Sequence, residues 1–322
     1  MRRTKQGWRL ARRTNLKYKN LTSLRLEGFD SPRLKRRRDI LFTTYNDVYL
    51  DIRRALRAEN ISMAELEAFE LVRYVTGKSR EEFVKDKYLH ATAQTVSAAM
   101  RLCERRLRGE PLAYILGEWD FYGITLKVTP DVLIPRSDTE ALVDCALRRS
   151  EGEFRFLDLG CGSGCVGIAL GLMRNSSRGV LADVSDAALA VAKENVYNAH
   201  LSSRLLCVKA DMTKKPPENL GKFDVIVSNP PYITAEEMRG LDKSVVDFEP
   251  FGALYGGEDG LDFYRAICEN WWDSLNDGGV LAFECGITQS TSLEKLVSSV
   301  GGKNVQTTRD TAGINRVVSC IK

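Results

Sequence analysis

The stretch Phe156-Leu157-Asp158-Leu159-Gly160-Cys161-Gly162-Ser163-Gly164 decides how this chain folds. Residues with strand character lead into three glycines spaced G-x-G-x-G, and helical character resumes at Cys165. A glycine-rich turn between a strand and a helix lets the backbone approach a bound ligand closely. We therefore expect a ligand site at this turn, for either a dinucleotide or a nucleoside.

Short apolar strands alternate with helices from this turn to the C-terminus. The predicted strands are 155–159, 179–182, 205–210, 223–228 and 279–284, and the predicted helices begin at 165, 186, 262 and 289. This alternation is typical of a doubly wound parallel sheet covered on both faces. Two late segments, 304–308 and 316–320, are predicted to form a terminal antiparallel hairpin. The fold class is therefore α/β and Rossmann-like.

The region before the sheet has the pattern of a helical bundle. Between residues 45 and 108, apolar residues recur at three- and four-residue steps, as in amphipathic helices. Ser62 and Glu65 are predicted to form a capping box, and Gly77 is predicted to end that helix. The stretch 113–128 changes to β-favouring residues and is predicted to be a hairpin.

The charge of the chain is unevenly distributed. Residues 1–38 contain 14 Lys and Arg against Glu27 and Asp30, so the remainder is net acidic. An acidic body argues against a large duplex nucleic-acid footprint, and we expect no stable nucleic-acid complex. For the basic arm we favour disorder without a catalytic role. Contact with nucleic acid, a mitochondrial leader and sequence upstream of the true start are the alternatives.

Cysteine usage and hydropathy exclude several classes of protein. The eight cysteines form no C-x-x-C pair and are accompanied by only two histidines, His90 and His200. Neither a metal site nor a disulfide scaffold is expected, and the thiols are predicted to be buried and free. The apolar runs are much shorter than the roughly 20 residues that cross a bilayer, so no membrane span is expected. These features favour the cytoplasm, or the mitochondrial matrix if the arm is a leader.

Three carboxylates are predicted to meet at one edge of the sheet. Asp158, Asp183 and Asp211 stand at the ends of three successive predicted strands, and open α/β sheets bind ligands at the carboxyl ends of their strands. Asp183 is placed to accept bonds from ribose hydroxyls, and Asp211 from an adenine amino group beside the thioether of Met212. Asp158 suits an ammonium group but not a pyrophosphate. The site therefore favours a cationic nucleoside.

The loop Asn229-Pro230-Pro231-Tyr232, after the fourth strand, indicates the chemistry. Two prolines stiffen the backbone. A planar amide or amino nitrogen is a poor nucleophile, and the Asn229 side-chain oxygen and the Pro230 carbonyl can both accept hydrogen bonds from such an NH2 group. Tyr232 can pack on the planar group and exclude water. The loop predicts that a methyl group is transferred to an sp2 nitrogen, and that the reaction needs no strong general base.

Taken together, the glycine turn and this loop resemble the class I S-adenosylmethionine-dependent methyltransferases that act on sp2 nitrogen. More narrowly, they resemble the HemK/PrmC family, which methylates N5 of the glutamine in the GGQ tripeptide of peptide chain release factors. Further matching segments are Gly109 to Ile115, Ile134 to Glu140, Phe248 to Pro250, Ala253-Leu254, and Arg309-Asp310 with Gly313 and Arg316. The likeness runs from about Tyr45 to the C-terminus, with Ser137 in place of the family's second proline.

The resemblance implies a site for S-adenosylmethionine and a site for glutamine, without a metal. The implied cofactor-binding residues are Asp158, Gly160, Cys161, Gly162, Ser163, Gly164, Asp183, Asp211, Met212 and Asn229. The implied catalytic residues are Asn229, Pro230, Pro231 and Tyr232. Met212 departs from the family, which often carries an aromatic residue there. The expected partner is the GGQ loop of a release factor, and the protein is expected to be a monomer.

The composition, the sequence patterns and the resemblance together divide the chain into four parts. These are a basic, disordered arm (1–42), a helical substrate-docking domain (43–110), a hairpin linker (111–135) and an S-adenosylmethionine-dependent methyltransferase domain (136–322). A helix is expected to begin within 133–140 and to run to Arg149.

Three other functions fit parts of the sequence. A ribosomal-protein glutamine methyltransferase would share the Asn-Pro-Pro-Tyr loop, but the segment Ile134 to Glu140 favours the release-factor type. A nucleic-acid base methyltransferase would need the same loop, because the amino nitrogens of adenine and guanine are equally poor nucleophiles. The acidic body argues against this function. A nonenzymatic cofactor binder would have no need of Asn229 followed by two prolines.

Overall fold

The N-terminal part of the described chain is a bundle of helices. The computed structural model describes residues 43–322, so the arm predicted over 1–42 lies outside the described residues. The bundle consists of α1 (Tyr45–Ala58), α2 (Ala64–Thr76), α3 (Arg80–Asp86) and α4 (Ala93–Leu107). Their apolar faces pack together, with Ile52, Leu56 and Leu71 fully buried. The prediction of helices in this region is confirmed.

One predicted helix start in the bundle is wrong and one predicted end is right. Helix α2 begins at Ala64 after Met63, and no side chain caps it, so Ser62 and Glu65 form no capping box. Its C-terminal cap is Gly77 in the left-handed region at φ 64°, a conformation that glycine adopts without strain.

A short helix and a hairpin connect the bundle to the sheet. Helix α5 (Leu112–Leu116) precedes strands β1 (Glu118–Phe121) and β2 (Ile124–Lys127), so the hairpin predicted from residue 113 starts only at 118. The residues between are helical because Pro111 stands at the N-terminus and Gly117, at φ 72°, ends the turn. The strands pair antiparallel around Tyr122 and Gly123.

A seven-stranded sheet forms the remainder of the described chain. After a 3₁₀ turn (Ser137–Thr139), the elements are α6 (Glu140–Arg149), β3 (Arg155–Leu159), α7 (Cys165–Met173), β4 (Arg178–Asp183), α8 (Asp186–Asn198), β5 (Leu205–Lys209), β6 (Phe223–Ser228), α9 (Ala235–Met238), α10 (Lys243–Val246), α11 (Asp262–Trp271), β7 (Leu275–Glu284), α12 (Ser290–Ser299), β8 (Lys303–Arg309) and β9 (Asn315–Ile321). The spatial order is β5-β4-β3-β6-β7-β9-β8.

The strand directions agree with the prediction. Strands β3 to β7 pair in parallel, whereas β9 runs antiparallel to both β7 and β8. Apolar side chains of α6, α7 and α8 cover one face of the sheet, and those of α11 and α12 cover the other. The class I methyltransferase architecture expected from the sequence is therefore present.

Some element boundaries differ from the prediction. Strand β5 stops at Lys209, so Asp211 lies beyond the strand rather than at its end. The helix predicted over 262–275 is α11, which stops at Trp271. Strand β7 begins at Leu275, where it pairs with Phe223 of β6. This pairing, which apolar periodicity cannot reveal, extends β7 four residues before the predicted start.

The order of the strands creates a crevice at the centre of the sheet. Strand β3 lies between β4 and β6, so the chain leaves β3 towards one side and reaches β6 on the other. The loops after β3 and β6 diverge at such a switch point, which is where open α/β sheets bind ligands. The Ser228 hydroxyl donates to the Leu159 carbonyl at 2.7 Å and ties the two strand ends together.

Candidate active site

A cavity of about 400 Å³ opens at this switch point. Of the predicted cofactor residues, Asp158, Gly160, Cys161, Gly162, Ser163, Asp183, Asp211, Met212 and Asn229 line it. Gly164 does not, because it caps the N-terminus of α7 at φ 82° and faces Leu181. The structure thus brings together residues that are up to 71 positions apart in the sequence.

The glycine turn is held against β4 by its own backbone. The amides of Gly160 and Cys161 both donate to the carbonyl of Ala182, at 2.8 and 3.0 Å. A Cβ atom on Gly160 would lie 2.6 Å from the Cε atom of Met212. The end of the Met212 side chain therefore rests directly on the turn, and its thioether forms part of the cavity wall.

Two backbone amides fix the Asp183 carboxylate, and both of its oxygens can still accept further hydrogen bonds. One carboxylate oxygen accepts from the amide of Gly162 and the other from the amide of Ser185, each at 2.9 Å. An ionised carboxylate offers about four lone-pair directions, so each oxygen can accept a further bond. The geometry suits a pair of adjacent hydroxyl groups, such as those of a ribose.

Asp158 is a buried carboxyl group in the wall of the same cavity. Its side chain is 2% exposed and accepts one hydrogen bond, from the amide of Gly167 at 2.9 Å. Burial raises the pKa of Asp158 to about 7, against the lowering effect of the Gly167 amide and with a small contribution from the charge of Asp183. The group therefore titrates near neutral pH and would gain most from a cationic ligand.

Asp211 has a different environment at the far side of the cavity. Its carboxylate accepts from the Thr213 hydroxyl at 2.6 Å and pairs with Lys214 at 3.0 Å. These interactions, the Thr213 hydroxyl first, lower the pKa of Asp211 to about 2. Asp211 is therefore ionised at neutral pH. Its predicted contact with an adenine amino group stays a prediction.

The polar and sulfur side chains of the turn differ in what they offer. Burial raises the pKa of the Cys165 thiol to about 12, and the pKa of Cys161 lies well above its ordinary value for the same reason. Both thiols are neutral packing groups, as expected. The Ser163 hydroxyl is buried too; it lies near the Cys165 thiol and lowers the pKa of that thiol, but it has no partner at ordinary hydrogen-bond distance and angle within residues 43–322.

The Asn229-Pro230-Pro231-Tyr232 loop separates this cavity from a second, larger one. Asn229 and Pro231 line the first cavity, and Tyr232 lines the other, while Pro230 is buried. The Asn229 Nδ2 atom donates to the Thr139 hydroxyl at 3.3 Å. Burial raises the pKa of Tyr232, so its phenol is neutral at physiological pH.

Gln289 and Gly256 contact the backbone of the catalytic loop at Tyr232. The side-chain amide of Gln289 donates to the Tyr232 carbonyl at 2.9 Å. A Cβ atom on Gly256 would lie 2.6 Å from both the Pro231 oxygen and the Tyr232 Cα atom, so only glycine fits. Neither residue is among the site residues expected from the sequence, although the glycine-rich run 255–260 was an available signal for Gly256.

The larger cavity is a cleft of about 850 Å³ between the helical bundle and the sheet. Leu66, Glu70 and Arg73, spaced along one face of α2, form one wall. The opposite wall comes from Trp119 of the hairpin, from residues 135–138 and from Tyr232. The bundle therefore faces the same opening as the catalytic loop.

The segment 132–139 that borders both cavities is firmly braced. Arg136 forms an ion pair with the buried Glu249, whose carboxylate also accepts from the Ile134 amide at 3.2 Å. Arg316, which is 6% exposed, pairs with Asp138 at 3.1 Å. These bonds hold the segment against residues that are more than 100 positions away in the sequence.

Comparisons with known proteins agree with this geometry. The model of the PrmC N-terminal domain matches residues 47–117, and that of the methyltransferase small domain matches residues 137–245. A release factor glutamine methyltransferase from Clostridium botulinum is 34% identical over 269 residues, covering 83% of this chain and 95% of the relative. The protein of the same name from Geobacter sulfurreducens is 38% identical over 270 residues, covering 84% and 94%.

The chain belongs to the release factor glutamine methyltransferase family. It is therefore a methyltransferase, and the family and enzyme class expected from the sequence are confirmed. Among solved structures, the hMettl16 catalytic domain in complex with MAT2A 3'UTR hairpin 1 matches with a TM-score of 0.52 at 16% identity, over 78% of this chain and 90% of that one. This likeness shows the fold alone.

Neither a metal site nor a membrane-spanning helix is present among the described residues. No group of three or more His, Cys, Asp or Glu side chains within 43–322 is placed to hold a metal ion. Over the same residues, no helix is long and apolar enough to span a membrane.

Proposed function

We propose that this methyltransferase transfers a methyl group from S-adenosylmethionine to the side-chain amide nitrogen, N5, of the glutamine in the GGQ motif of peptide chain release factors. The observation that carries the proposal is the position of the Asn229 to Tyr232 loop, between a nucleoside-sized cavity and a cleft open to a protein segment. The names of its relatives support the same substrate. The cytoplasmic location and the monomeric state stay predictions.

The residues of the smaller cavity fit S-adenosylmethionine. Asp183 has two free acceptor positions for the ribose hydroxyls, and the buried Asp158 carboxyl suits the ammonium group of the methionine part. The Ser163 hydroxyl and the glycine turn are further polar groups in the wall of this cavity. S-adenosylmethionine, when bound, supplies an electrophilic methyl group on a sulfonium.

The loop orients a substrate amide. Because the NH2 group of Asn229 donates its hydrogen bond to Thr139, the side-chain oxygen of Asn229 remains free to accept a hydrogen bond from the glutamine NH2 group. The Pro230 carbonyl is the proposed second acceptor, and the neutral Tyr232 side chain can pack on the flat amide. Two acceptors fix the rotation of the amide and direct its nitrogen lone pair towards the cofactor cavity.

The reaction needs no strong base in the protein. The new N–C bond would form as the bond between the methyl carbon and the sulfonium sulfur breaks, which would leave a neutral thioether. The methylated nitrogen would then be acidic enough to release a proton to water. The two histidines of the sequence, His90 and His200, line neither cavity. The contribution of the chain is therefore orientation and exclusion of water.

Replacement of Asn229 by alanine tests the orienting role. We expect Asn229→Ala to lower kcat by about a hundredfold or more, because the amide loses one of its two fixed acceptors. The thermal unfolding midpoint should not change, since Asn229 makes one long hydrogen bond. Asn198→Ala, at an exposed position of α8, is the matched control and should have wild-type turnover. Near-normal kcat in Asn229→Ala would contradict the proposal.

The raised pKa of Asp158 predicts that cofactor binding releases a proton. Without ligand the carboxyl titrates at about 7, and a neighbouring ammonium would lower that pKa and ionise the group. Cofactor affinity should thus rise with pH up to about 7. The protonated form stabilises the ligand-free fold, and this contribution is lost as pH rises through the same range.

Calorimetric titration near pH 7 in buffers of different ionisation enthalpy counts the released protons. The wild type and a control variant, Asp273→Asn at a fully exposed position, should release a fraction of one proton. Asp158→Asn should release none. A wild type that binds the cofactor without releasing protons would refute the assignment.

The wall of the cleft formed by α2 predicts a role of the bundle in docking. Leu66 is 47% exposed and lines the cleft, whereas Val84, 57% exposed on α3, does not. We expect Leu66→Asp to raise KM for an intact release factor about tenfold, the loss of roughly 1.4 kcal/mol of contact. Its kcat should not change, and Val84→Asp should resemble the wild type. Equal KM values in the two variants would contradict docking at α2.

A further inference from the structure

A buried carboxyl group behind the catalytic loop has no part in the mechanism described so far. Glu284 is the last residue of β7, and its side chain is 1% exposed. The hydroxyls of Thr139 and Tyr232 are near enough to lower its pKa. Its Oε2 atom has no partner at ordinary hydrogen-bond distance and angle among the described residues. Burying a carboxyl group that is incompletely bonded is costly, which suggests a function.

The Thr139 hydroxyl connects this carboxyl group to Asn229. Thr139 is 2% exposed, and its Oγ1 atom accepts the hydrogen bond from Asn229 Nδ2. A hydroxyl group has a single proton. If that proton is donated to Glu284, the oxygen of Thr139 can only accept from Asn229. The NH2 group of Asn229 is then the end that faces Thr139.

The turn that carries Thr139 is held in place independently of Asn229. Asp138, the preceding residue, pairs with Arg316 at 3.1 Å. Arg316 also donates to the carbonyl of Cys285 at 3.3 Å, directly after Glu284. One guanidinium therefore ties the 3₁₀ turn to the end of β7, and this tie does not involve Asn229.

We propose that Glu284 and Thr139 are positioning residues that determine which way round the Asn229 side-chain amide faces. The two ends of a carboxamide have almost the same shape, but one accepts and the other donates. A rotated Asn229 would present its NH2 group to the NH2 group of the substrate glutamine, and two donors cannot bond to each other. This proposal rests on the proposed function of Asn229.

The protonation state of Glu284 then controls the orientation. Burial, the largest effect, raises the pKa of Glu284 to about 7, opposed by the Thr139 hydroxyl and by Arg316. The titratable and charged groups around it are Arg316 on β9, Asp138 in the 3₁₀ turn, Tyr232 after β6, Tyr264 on α11, Cys165 on α7 and its neighbour Cys285.

A protonated Glu284 no longer needs the Thr139 proton. The Thr139 hydroxyl can then donate to the Asn229 oxygen, and the amide loses its preferred orientation. We expect kcat to fall as the pH falls through about 7. Unfolding cannot explain such a fall. Because the folded-state pKa of Glu284 lies above its unfolded value, protonation stabilises the fold as the pH falls from about 7 to the unfolded pKa.

Two substitutions of Thr139 isolate the hydroxyl. Thr139→Val keeps the shape and removes the hydrogen bonds, whereas Thr139→Ser keeps the hydroxyl and removes a methyl group. We expect Thr139→Val to lower kcat at least about tenfold, with unchanged KM for the protein substrate, and Thr139→Ser to restore it to within about threefold of the wild type. Equal kcat values in the two variants would overturn the proposal.

The pH profile tests Glu284 itself. Between about pH 5.5 and 8.5, the acidic limb of kcat should disappear in Glu284→Gln, which cannot ionise. Glu67→Gln is the matched control, because Glu67 is a buried glutamate of the helical bundle, paired with Arg106, and its acidic limb should persist. An unchanged acidic limb in Glu284→Gln would overturn the proposal.

A measurement without substrate separates this inference from the proposed function. The side-chain amide resonance of Asn229, assigned by its absence in Asn229→Ala, should titrate near pH 7 in the ligand-free wild type and not in Glu284→Gln. If this titration is present but the release factor is not methylated, the proposed function fails and the positioning role stands. If the wild type methylates the glutamine and the resonance does not titrate, the positioning role fails.

Discussion

The parallel pairing of β3 with β6 is the constraint on which the rest of the site depends. It places the end of the strand that carries Asp158 beside the strand that leads into Asn229. The hydrogen bond from the Ser228 hydroxyl to the Leu159 carbonyl connects the two strand ends. Because the chain leaves β3 towards β4, the glycine turn opens to one side and the proline loop to the other. The cofactor cavity and the substrate cleft therefore meet at a single loop.

The site contains carboxyl groups whose environments differ sharply. Asp211 is ionised because hydroxyl, amide and ammonium donors surround it, whereas burial raises the pKa values of Asp158 and Glu284 to about 7. Asp158 lies in the cofactor cavity and Glu284 behind the substrate loop. Neutral forms cost less to bury, so the ligand-free protein tolerates both groups. In our account one responds to the cofactor and the other sets the orientation of Asn229.

Most of the fold and part of the site could be predicted from the sequence because their signals are local. The glycine turn, the strands of the parallel sheet and the proline loop each lie within one short segment. The helix at 112–116 was mistaken for a strand because Pro111 and Gly117 outweigh its β-favouring residues. The contact between Thr139 and Asn229 joins residues 90 positions apart, and the packing of Gly256 on Pro231 depends on the sheet order. No periodicity encodes such contacts.

The central claim is that the loop after β6 presents a glutamine amide of a protein to the cofactor cavity. Mass spectrometry of a purified release factor, incubated with this protein and S-adenosylmethionine, tests it most directly by mapping any added methyl group to a residue. Our account predicts a single methyl group on the glutamine of the GGQ motif. An unmodified glutamine, despite demonstrated binding of the cofactor, would contradict it and direct attention to ribosomal-protein or nucleic-acid substrates.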